Sequence, residues 1–271
     1  TIINVDGLDW KRDKWPGPAK AYIKLAEYLA TKLPNAYLTD SESVQAYYRD
    51  RYGQAPPVIV YGSEVEPVPP GETLATSGLG TDRYVLFVVR LVPENGAHHL
   101  VEAFRELDTE LKCVIVGDAP YAQGYIRQLH ALAQGDPRIV FTGYVFGRGY
   151  AELGSNARVF VETSGVGGTH PALVEAMAFG NCVVVNDHAE NVETIGQAGL
   201  TYAGSVGADS LRPVLRRLLA NPTEVERLRV LARERAHRRY NWEAVTDAYE
   251  RLFYQVLDWP LPSRLADAGE S

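Results

Sequence analysis

Short apolar runs, rich in β-branched residues, alternate with helical patterns along nearly the whole chain. The run Tyr84–Val89 is apolar at every position, which is typical of a parallel strand buried on both faces. Between such runs, segments like Pro16–Leu33 place apolar residues at helical spacing. Strands that alternate with helices predict doubly wound parallel sheets, so we expect an α/β fold.

The elements predicted in this way fall into two blocks. The strands are Ile2–Val5, Tyr37–Leu38, Val58–Tyr61, Tyr84–Val89, Cys113–Val116, Ile139–Phe141, Val159–Val161 and Cys182–Val185. The helices are Pro16–Leu33, Glu42–Tyr52, Ala97–Glu106, Tyr121–Gln134, Gly149–Leu153, Pro171–Phe179, Ala208–Asn221, Pro222–Tyr240 and Trp242–Leu257. We expect blocks at 1–63 and 81–240, an aperiodic linker at 64–80, a helix at 241–258 packing back toward the first block, and a frayed tail at 259–271.

The composition limits the class of protein. Of the 271 residues, 46% are hydrophobic, which is enough for a sizeable core. No apolar run approaches the ~20 residues of a spanning helix, and none resembles a secretory signal. The net charge of −7 argues against a nucleic-acid surface. Cys113 and Cys182 lie in apolar runs and predict buried thiols in a reducing compartment. We expect a cytoplasmic protein, with peripheral membrane contact left open.

The chain starts at Thr1 instead of an initiator methionine, and a strand pattern follows at once. Natural domains seldom begin in this way. We therefore expect the chain to be a fragment of a longer protein.

A glycine-rich turn before a helix is the most informative local feature. Residues 165–170 contain three glycines and lead to Pro171, a residue type favoured at the first position of a helix. The free N–H groups and the dipole of such a helix form an anion site at the turn. One turn further on, the carboxylate of Glu175 can accept hydrogen bonds from sugar hydroxyls. A nucleotide or nucleotide-sugar ligand is predicted; an ordinary turn before a packed helix is the alternative.

Two other loops carry candidate ligand contacts, because ligands of such sheets bind at the carboxyl ends of the strands. Arg90 follows the strand at 84–89 and precedes a helix, so it is a candidate phosphate clamp. A surface arginine paired with Glu94 is the alternative. The loop 6–15 carries three cations between two tryptophans. These cations either hold an anion or a sugar, or are solvated charges.

Several other kinds of site lack their required spacing. The six histidines form no HExxH or other ligand pattern, so we expect no metal. The sequence has no GxSxG elbow and no Walker A lysine. No GxGxxG opens the first helix of either block, which argues against a nicotinamide dehydrogenase. We expect no resident cofactor.

Four segments, taken in order, resemble glycosyltransferases of the two-domain GT-B fold, in the large retaining family four. They are RLVPENG at 90–96, VIVGD at 114–118, RIVFTGY at 138–144 and GGTHPALVEAMAFG at 167–180. Each segment is modest alone, but the set is specific, and the resemblance covers about 85–256. The opening VDGLDWKRDKW at 5–15 resembles a narrower bacterial group that includes rhamnosyltransferase-like enzymes of capsule and exopolysaccharide assembly.

This resemblance implies roles for individual residues. Arg90 matches the arginine that grips the donor diphosphate, and Glu175 matches the second glutamate of a Glu-x7-Glu motif, which holds the ribose. Both are the implied catalytic residues. Thr169 and His170 match the turn that binds the phosphate or sugar of the donor. Further implied contacts are Asn95, Gly167 and Gly168 for the donor phosphate or sugar, and Gly143 and Tyr144 for the nucleotide.

Two positions depart from the family pattern. Gly167 replaces the first glutamate of the motif, which usually touches the transferred sugar, and Asn95 replaces a lysine that binds phosphate. Arg12 or Lys14 is a candidate to supply the lost charge across the cleft. The first block matches only the later half of an acceptor domain, so we expect two Rossmann-like domains of which the N-terminal one is incomplete.

The resemblance implies a metal-independent, retaining transfer of a sugar from a nucleoside-diphosphate sugar to a saccharide or lipid-linked saccharide. A GT-B sugar-nucleotide epimerase is one alternative, and a donor-binding fragment without activity of its own is another. The implied partners are the nucleotide-sugar donor, a glycan or lipid-linked acceptor, and a second chain that supplies the missing half. The donor sugar, the base and the acceptor stay open.

Overall fold

The structure is a computed structural model that describes residues 1–12 and 14–266. The strands are β1 (Ile2–Asn4), β2 (Ala36–Leu38), β3 (Tyr84–Val88), β4 (Lys112–Val116), β5 (Ile139–Gly143), β6 (Val159–Glu162), β7 (Cys182–Asn186) and β8 (Gly199–Tyr202). The α-helices are α1 (Gly17–Ala30), α2 (Glu42–Tyr52), α3 (Glu72–Thr76), α4 (Ala97–Arg105), α5 (Gln123–Ala133), α6 (Gly147–Asn156), α7 (Pro171–Phe179), α8 (Ala189–Ile195), α9 (Ala208–Leu219), α10 (Pro222–Arg239), α11 (Trp242–Leu257) and α12 (Ser263–Ala266).

The second block is built on a parallel sheet of strand order β5-β4-β3-β6-β7-β8. Within it, Val85 of β3 lies opposite Cys113 of β4 on one side and Val159 of β6 on the other. Because the strand order runs outward in both directions from β3 and β6, the sheet is doubly wound. The carboxyl ends of β3 and β6 form the switch point at which ligands bind in such sheets.

Apolar layers cover both faces of this sheet, because its side chains alternate between the two faces. On one face, α4, α5 and α9 bury Phe104, Leu129 and Leu215 against the strands. On the other face, α7 and α10 bury Met177 and Ala232. The helices therefore remove both apolar faces from water, which is the main favourable term in folding.

The first block contains a smaller parallel pair, β1 and β2, which Val58 extends through a bridge to Thr39. The helix α11 packs on this pair, with Val245 and Leu252 in one buried cluster with Leu38. The last long helix thus joins the core of the first block after the chain has completed the second.

Most predicted elements are confirmed within a few residues, and α2 and α7 have the predicted bounds. The strand predicted at Val58–Tyr61 is wrong, since only Val58 pairs. The segment 64–80 is not wholly irregular, because α3 lies within it. Glu152 on α6 accepts hydrogen bonds from the amides of Thr73 and Leu74, at 3.0 and 3.4 Å, and so stabilises a helix too short to show periodicity.

The prediction of a frayed tail is wrong as far as residue 266. Here α12 is held because Arg264 pairs with Glu250 at 2.5 Å and Leu265 is only 1% exposed. The rest of the predicted tail, 267–271, lies outside the described residues. In the described part of the chain, no helix combines the length and the apolar character needed to cross a bilayer.

Candidate functional site

A cleft of about 450 Å³ lies at the carboxyl ends of β3 and β6, between the two blocks. Of the predicted site residues, it is lined by Arg12, Arg90, Asn95, Gly167, Gly168, Thr169 and His170. The lining residues that we did not predict include Asp6, Asp40, Tyr61 and Glu162. Lys14, Gly143, Tyr144 and Glu175 are not among the lining residues.

The turn before α7 takes its shape from Gly167, whose φ of +147° is one that L side chains rarely adopt. Pro171 then starts α7, and Gly180 ends it in the left-handed conformation. A glutamate at position 167 would be strained in this backbone. The glycine at this position therefore fits the conformation of the turn.

The two blocks meet at this turn through Asp40 and Thr169. The amide of Thr169 donates to Oδ2 of Asp40 at 2.8 Å, and the hydroxyl of Thr169 donates to the carbonyl of Asp40 at 3.0 Å. Gly168 leaves room for this contact, because a Cβ there would lie 2.3 Å from Oδ2 of Asp40. Burial raises the pKa of Asp40 to about 7 against the lowering effect of the Thr169 amide, and the carboxylate of Asp6 adds to the rise.

The loop after β3 presents Arg90 to the cleft and buries Asn95 beneath it. The side-chain amide of Asn95 donates to the carbonyl of Arg90 at 2.8 Å, and the hydroxyl of Thr163 donates to the carbonyl of Asn95. Gly96 follows with a φ of +67°, which turns the chain into α4. Arg90 is exposed, and its guanidinium has no partner among the residues that the structure describes. The pairing with Glu94 that we considered is absent from that part of the chain.

Arg12 faces Arg90 from the other block. Its guanidinium lies 2.7 Å from Asp9 and 3.8 Å from Glu94, which places a first-block cation beside the loop of Arg90. Lys14 is exposed, and its ammonium lies over the ring of Trp15 at 5.0 Å. Of the two candidates for the missing lysine charge, Arg12 therefore has the suitable position.

Gly143 and Tyr144, two of the residues predicted to hold the nucleotide, lie at the carboxyl end of β5. The carbonyl of Gly143 accepts a hydrogen bond from the amide of Gly117 at 2.8 Å. Tyr144 is 49% exposed, its hydroxyl donates to the carbonyl of Asp118 at 3.0 Å, and its ring stacks on Phe146. An aromatic pair of this kind offers a face on which a base can stack.

Glu175 lies on α7 and accepts a hydrogen bond from the hydroxyl of Tyr150 on α6. Burial raises the pKa of Tyr150 well above its usual value, and the charge of Glu175 acts in the same direction. The tyrosine therefore stays a donor and fixes one oxygen of the carboxylate. The other oxygen is left to accept from a ligand hydroxyl, as the predicted ribose contact requires.

Sequence reasoning missed the carboxylates that the first block brings to the cleft. Asp6 follows β1 and accepts a hydrogen bond from Tyr61 at 3.4 Å, and Asp40 follows β2 closely. In the loop 6–15, only the cations are candidates from the sequence. The positions of the two acids were the sequence signal that could have identified them, because both acids lie just beyond the carboxyl ends of predicted parallel strands.

Comparison with known proteins identifies the family. The model described as "Glycosyl transferases group 1" matches residues 82–221, slightly more than half of the chain. The chain belongs to this family and is a glycosyltransferase. Residues 1–64 match a domain of unknown function, DUF1972. No curated protein matches the chain significantly.

Solved structures agree on the fold. HepE from Anabaena, in complex with UDP, has a TM-score of 0.80 and 18% identity over 94% of this chain and 72% of that chain. Sucrose-phosphate synthase from Thermosynechococcus elongatus has a TM-score of 0.81 and 22% identity, over 95% of this chain and 68% of that one. A glycosyltransferase from Rickettsia africae has a TM-score of 0.74 and 16% identity, over 90% and 68%. The fold is that of GT-B glycosyltransferases.

Proposed function

We propose that the chain binds a nucleoside-diphosphate sugar in the 450 Å³ cleft and serves a retaining transfer of the sugar to a saccharide or lipid-linked saccharide. The family-four assignment, the resemblance to rhamnosyltransferase-like enzymes of bacterial polysaccharide assembly and a cytoplasmic, membrane-peripheral location belong to the same proposal. The family membership supports sugar transfer. The residues that line the cleft support a nucleoside-diphosphate sugar as the donor.

The observation that carries the proposal is that Arg90 and the N-terminal end of α7 open onto one cleft. The guanidinium has no partner in the described part of the chain and is available to a diphosphate. The helix adds its dipole and N–H groups. Both features stabilise negative charge that develops on a departing diphosphate, and removing one such contact typically costs about 3 kcal/mol of barrier.

Arg12 completes the site from the first block, where it takes the place of the phosphate-binding lysine that Asn95 replaces. Tyr150 occupies one carboxylate oxygen of Glu175, and the other oxygen holds the ribose. Tyr144 stacks on the base. The acceptor hydroxyl attacks the face from which the diphosphate leaves, which gives retention. No metal takes part in this scheme.

The proposal is tested first by ligand binding. UDP-, GDP-, dTDP- and ADP-sugars are screened by thermal shift, starting with UDP-glucose because one HepE structure contains that ligand. A donor that binds raises the melting temperature, since it stabilises only the folded state. In the Arg90→Ala variant the shift is expected to disappear. Arg83→Ala is the matched control, because Arg83 is an exposed arginine paired with Glu110, outside the cleft.

The reaction is tested with the donor that binds and an oligosaccharide acceptor. Retention is measured from the anomeric configuration of the product by NMR. A free sugar or an epimer formed without an acceptor supports the epimerase instead. An equal thermal shift in the Arg90→Ala and Arg83→Ala variants contradicts the assigned phosphate site.

A further inference from the structure

Asp40 is a buried acid with one unsatisfied oxygen at the edge of the candidate donor cleft. The residue is 1% exposed, and its Oδ1 is buried without a hydrogen-bond partner among the described residues. Its Oδ2 accepts the amide of Thr169, which belongs to the turn at the N-terminus of α7. An unsatisfied buried carboxylate oxygen costs free energy.

The same contact uses an amide of the turn that the family resemblance assigns to the phosphate or sugar of the donor. The Thr169 amide points at Asp40, so an anion at this turn either displaces the carboxylate from that amide or binds beside it. The carbonyl of Asp40 also accepts the hydroxyl of Thr169, so that the first block holds the turn at two points. In both binding modes the negative charge of a diphosphate lies close to the ionised carboxylate of Asp40, and the two like charges repel each other.

We propose that Asp40 is a positioning residue of the donor turn and takes up one proton when the diphosphate of the donor binds. The inference rests on the proposed function, since it concerns the same donor site. The proton comes from the solvent and adds to a carboxylate oxygen of Asp40. This proton neutralises the negative charge of Asp40, and the diphosphate of the donor carries two negative charges. The protonated carboxyl keeps one oxygen to accept the Thr169 amide and gains an O–H donor.

The surroundings of Asp40 favour the neutral form. Asp6, beyond β1, and Glu190, on α8, are the carboxylates that act on it, and both raise its pKa. Burial raises the pKa of Tyr61, from the loop after Val58, and of Tyr249, on α11, and the charge of Asp40 acts in the same direction. Burial acts to raise the pKa of Glu190, but the hydrogen bond with His188 and the other favourable contacts of the carboxylate outweigh it and lower that pKa, so Glu190 keeps its charge beside Asp40. With burial included, the pKa of Asp40 lies at about 7 before any ligand binds.

The added charge of a diphosphate raises the pKa of Asp40 further, because a nearby like charge disfavours the ionised form. Donor affinity is therefore highest at low pH, where Asp40 is already neutral. It falls as the pH rises through the pKa of the free protein, by up to about tenfold per pH unit for one linked proton.

The experiment is calorimetric titration with UDP-glucose, or with whichever of the GDP-, dTDP- and ADP-sugars gives a larger thermal shift. Both phosphates of such a donor are diesters, so the ligand does not itself titrate near neutral pH. Binding is measured between about pH 6 and pH 8 in two buffers of different ionisation enthalpy, which gives the number of protons taken up. The variants are Asp40→Asn and, as a matched control, Asp50→Asn, an acid of α2 that is 73% exposed.

We expect proton uptake by the wild-type chain and by Asp50→Asn, and less uptake with a flatter pH profile for Asp40→Asn. Asparagine preserves the acceptor for the Thr169 amide, and His170 and the other cleft groups are common to all three proteins. Equal uptake by Asp40→Asn and wild type overturns the inference and leaves the donor site standing. If the Asp40→Asn variant does not fold, the wild-type chain provides the test by itself. Absence of proton uptake by the wild-type chain above pH 7 then overturns the inference. Failure of every donor to bind contradicts the proposed function as well.

Discussion

Glu193 accepts a hydrogen bond from the backbone amide of Ser43 at 2.9 Å and so joins the second block to the first. Its other oxygen accepts the amide of Glu42 at 2.8 Å, and Arg239 lies 2.8 Å from Glu42 and 3.2 Å from Glu193. The second block thus caps α2, while Asp40, two residues before α2, holds the turn before α7. The cleft lies between blocks that stabilise each other's helix ends.

The variant Glu193→Ala removes the acceptors of the Glu42 and Ser43 amides at the start of α2, while Ser41 still accepts the amide of Val44. Loss of a helix cap typically costs about 1 kcal/mol, and here Arg239 also loses one of its two carboxylate partners while it keeps Glu42. We expect a decrease of about 1–2 kcal/mol in the free energy of unfolding, measured by urea denaturation followed by tryptophan fluorescence. Glu106→Ala, which removes a 62% exposed acid paired with Arg212, is the control and is expected to change little.

The variant Gly168→Ala tests the fit of the two blocks. A Cβ at this position would lie 2.2 Å from the carbonyl oxygen of Asp6, so the blocks have to separate or the turn has to move. We expect a loss of about 1–3 kcal/mol in unfolding free energy and weaker donor binding. Gly165→Ala, in the same turn, meets no atom within 4 Å and is the control. Equal effects of the two variants on stability would contradict the interface described here.

Arg12 lines the cleft and Lys14 does not, so we expect their substitutions to differ in their effect on donor binding. In the Arg12→Ala variant we expect donor affinity to fall by about 10- to 100-fold, the usual loss for a charge-assisted contact of 1.5–3 kcal/mol. Lys14→Ala is the matched control, because Lys14 lies on Trp15, outside the cleft. Calorimetric dissociation constants measure both. A larger loss for Lys14→Ala would show that the missing lysine charge comes from that residue.

The pH dependence of stability provides a test of Asp40 without any ligand. Its pKa is raised from 3.8 to about 7 by folding, so the folded state binds more protons than the unfolded state between these values. The contribution of Asp40 to stability is therefore present at low pH and is lost as the pH rises to about 7.

The Asp40→Asn variant cannot titrate at this position. Relative to wild type, we expect its unfolding free energy to increase between about pH 4 and pH 7 and then to stay level, by a total on the order of a few kcal/mol. Urea unfolding of both proteins across this range measures the difference. A constant difference between the two proteins contradicts the raised pKa.

The periodicity of the sequence predicted nearly all of the larger sheet and the helices that cover it, because strands buried on both faces are apolar throughout. Segments whose stability comes from elsewhere were missed. The helix α3 depends on Glu152 across the fold, and Val58 pairs while Tyr61 turns toward Asp6. No local pattern records such partners.

The side of the cleft that the second block supplies could be predicted from the sequence for a physical reason. A glycine turn, Pro171 and an arginine after an apolar run are local features, and the topology of a doubly wound sheet brings strand ends together. The sequence by itself therefore determined the α/β class and the residues Arg90, Thr169 and His170 as candidates. The family match supports the class of reaction.

Only the tertiary structure decided which residues of the first block lie opposite the glycine turn before α7. Asp40 and Thr169 are far apart in the chain, and nothing in the sequence near either residue requires them to meet. Packing of the two blocks buries Asp40, raises its pKa and gives it the amide of Thr169. The same packing places Arg12 on the lining of the cleft and leaves Lys14 outside it. These properties depend on distance and on exclusion of water, which the chain acquires only when both blocks have folded together.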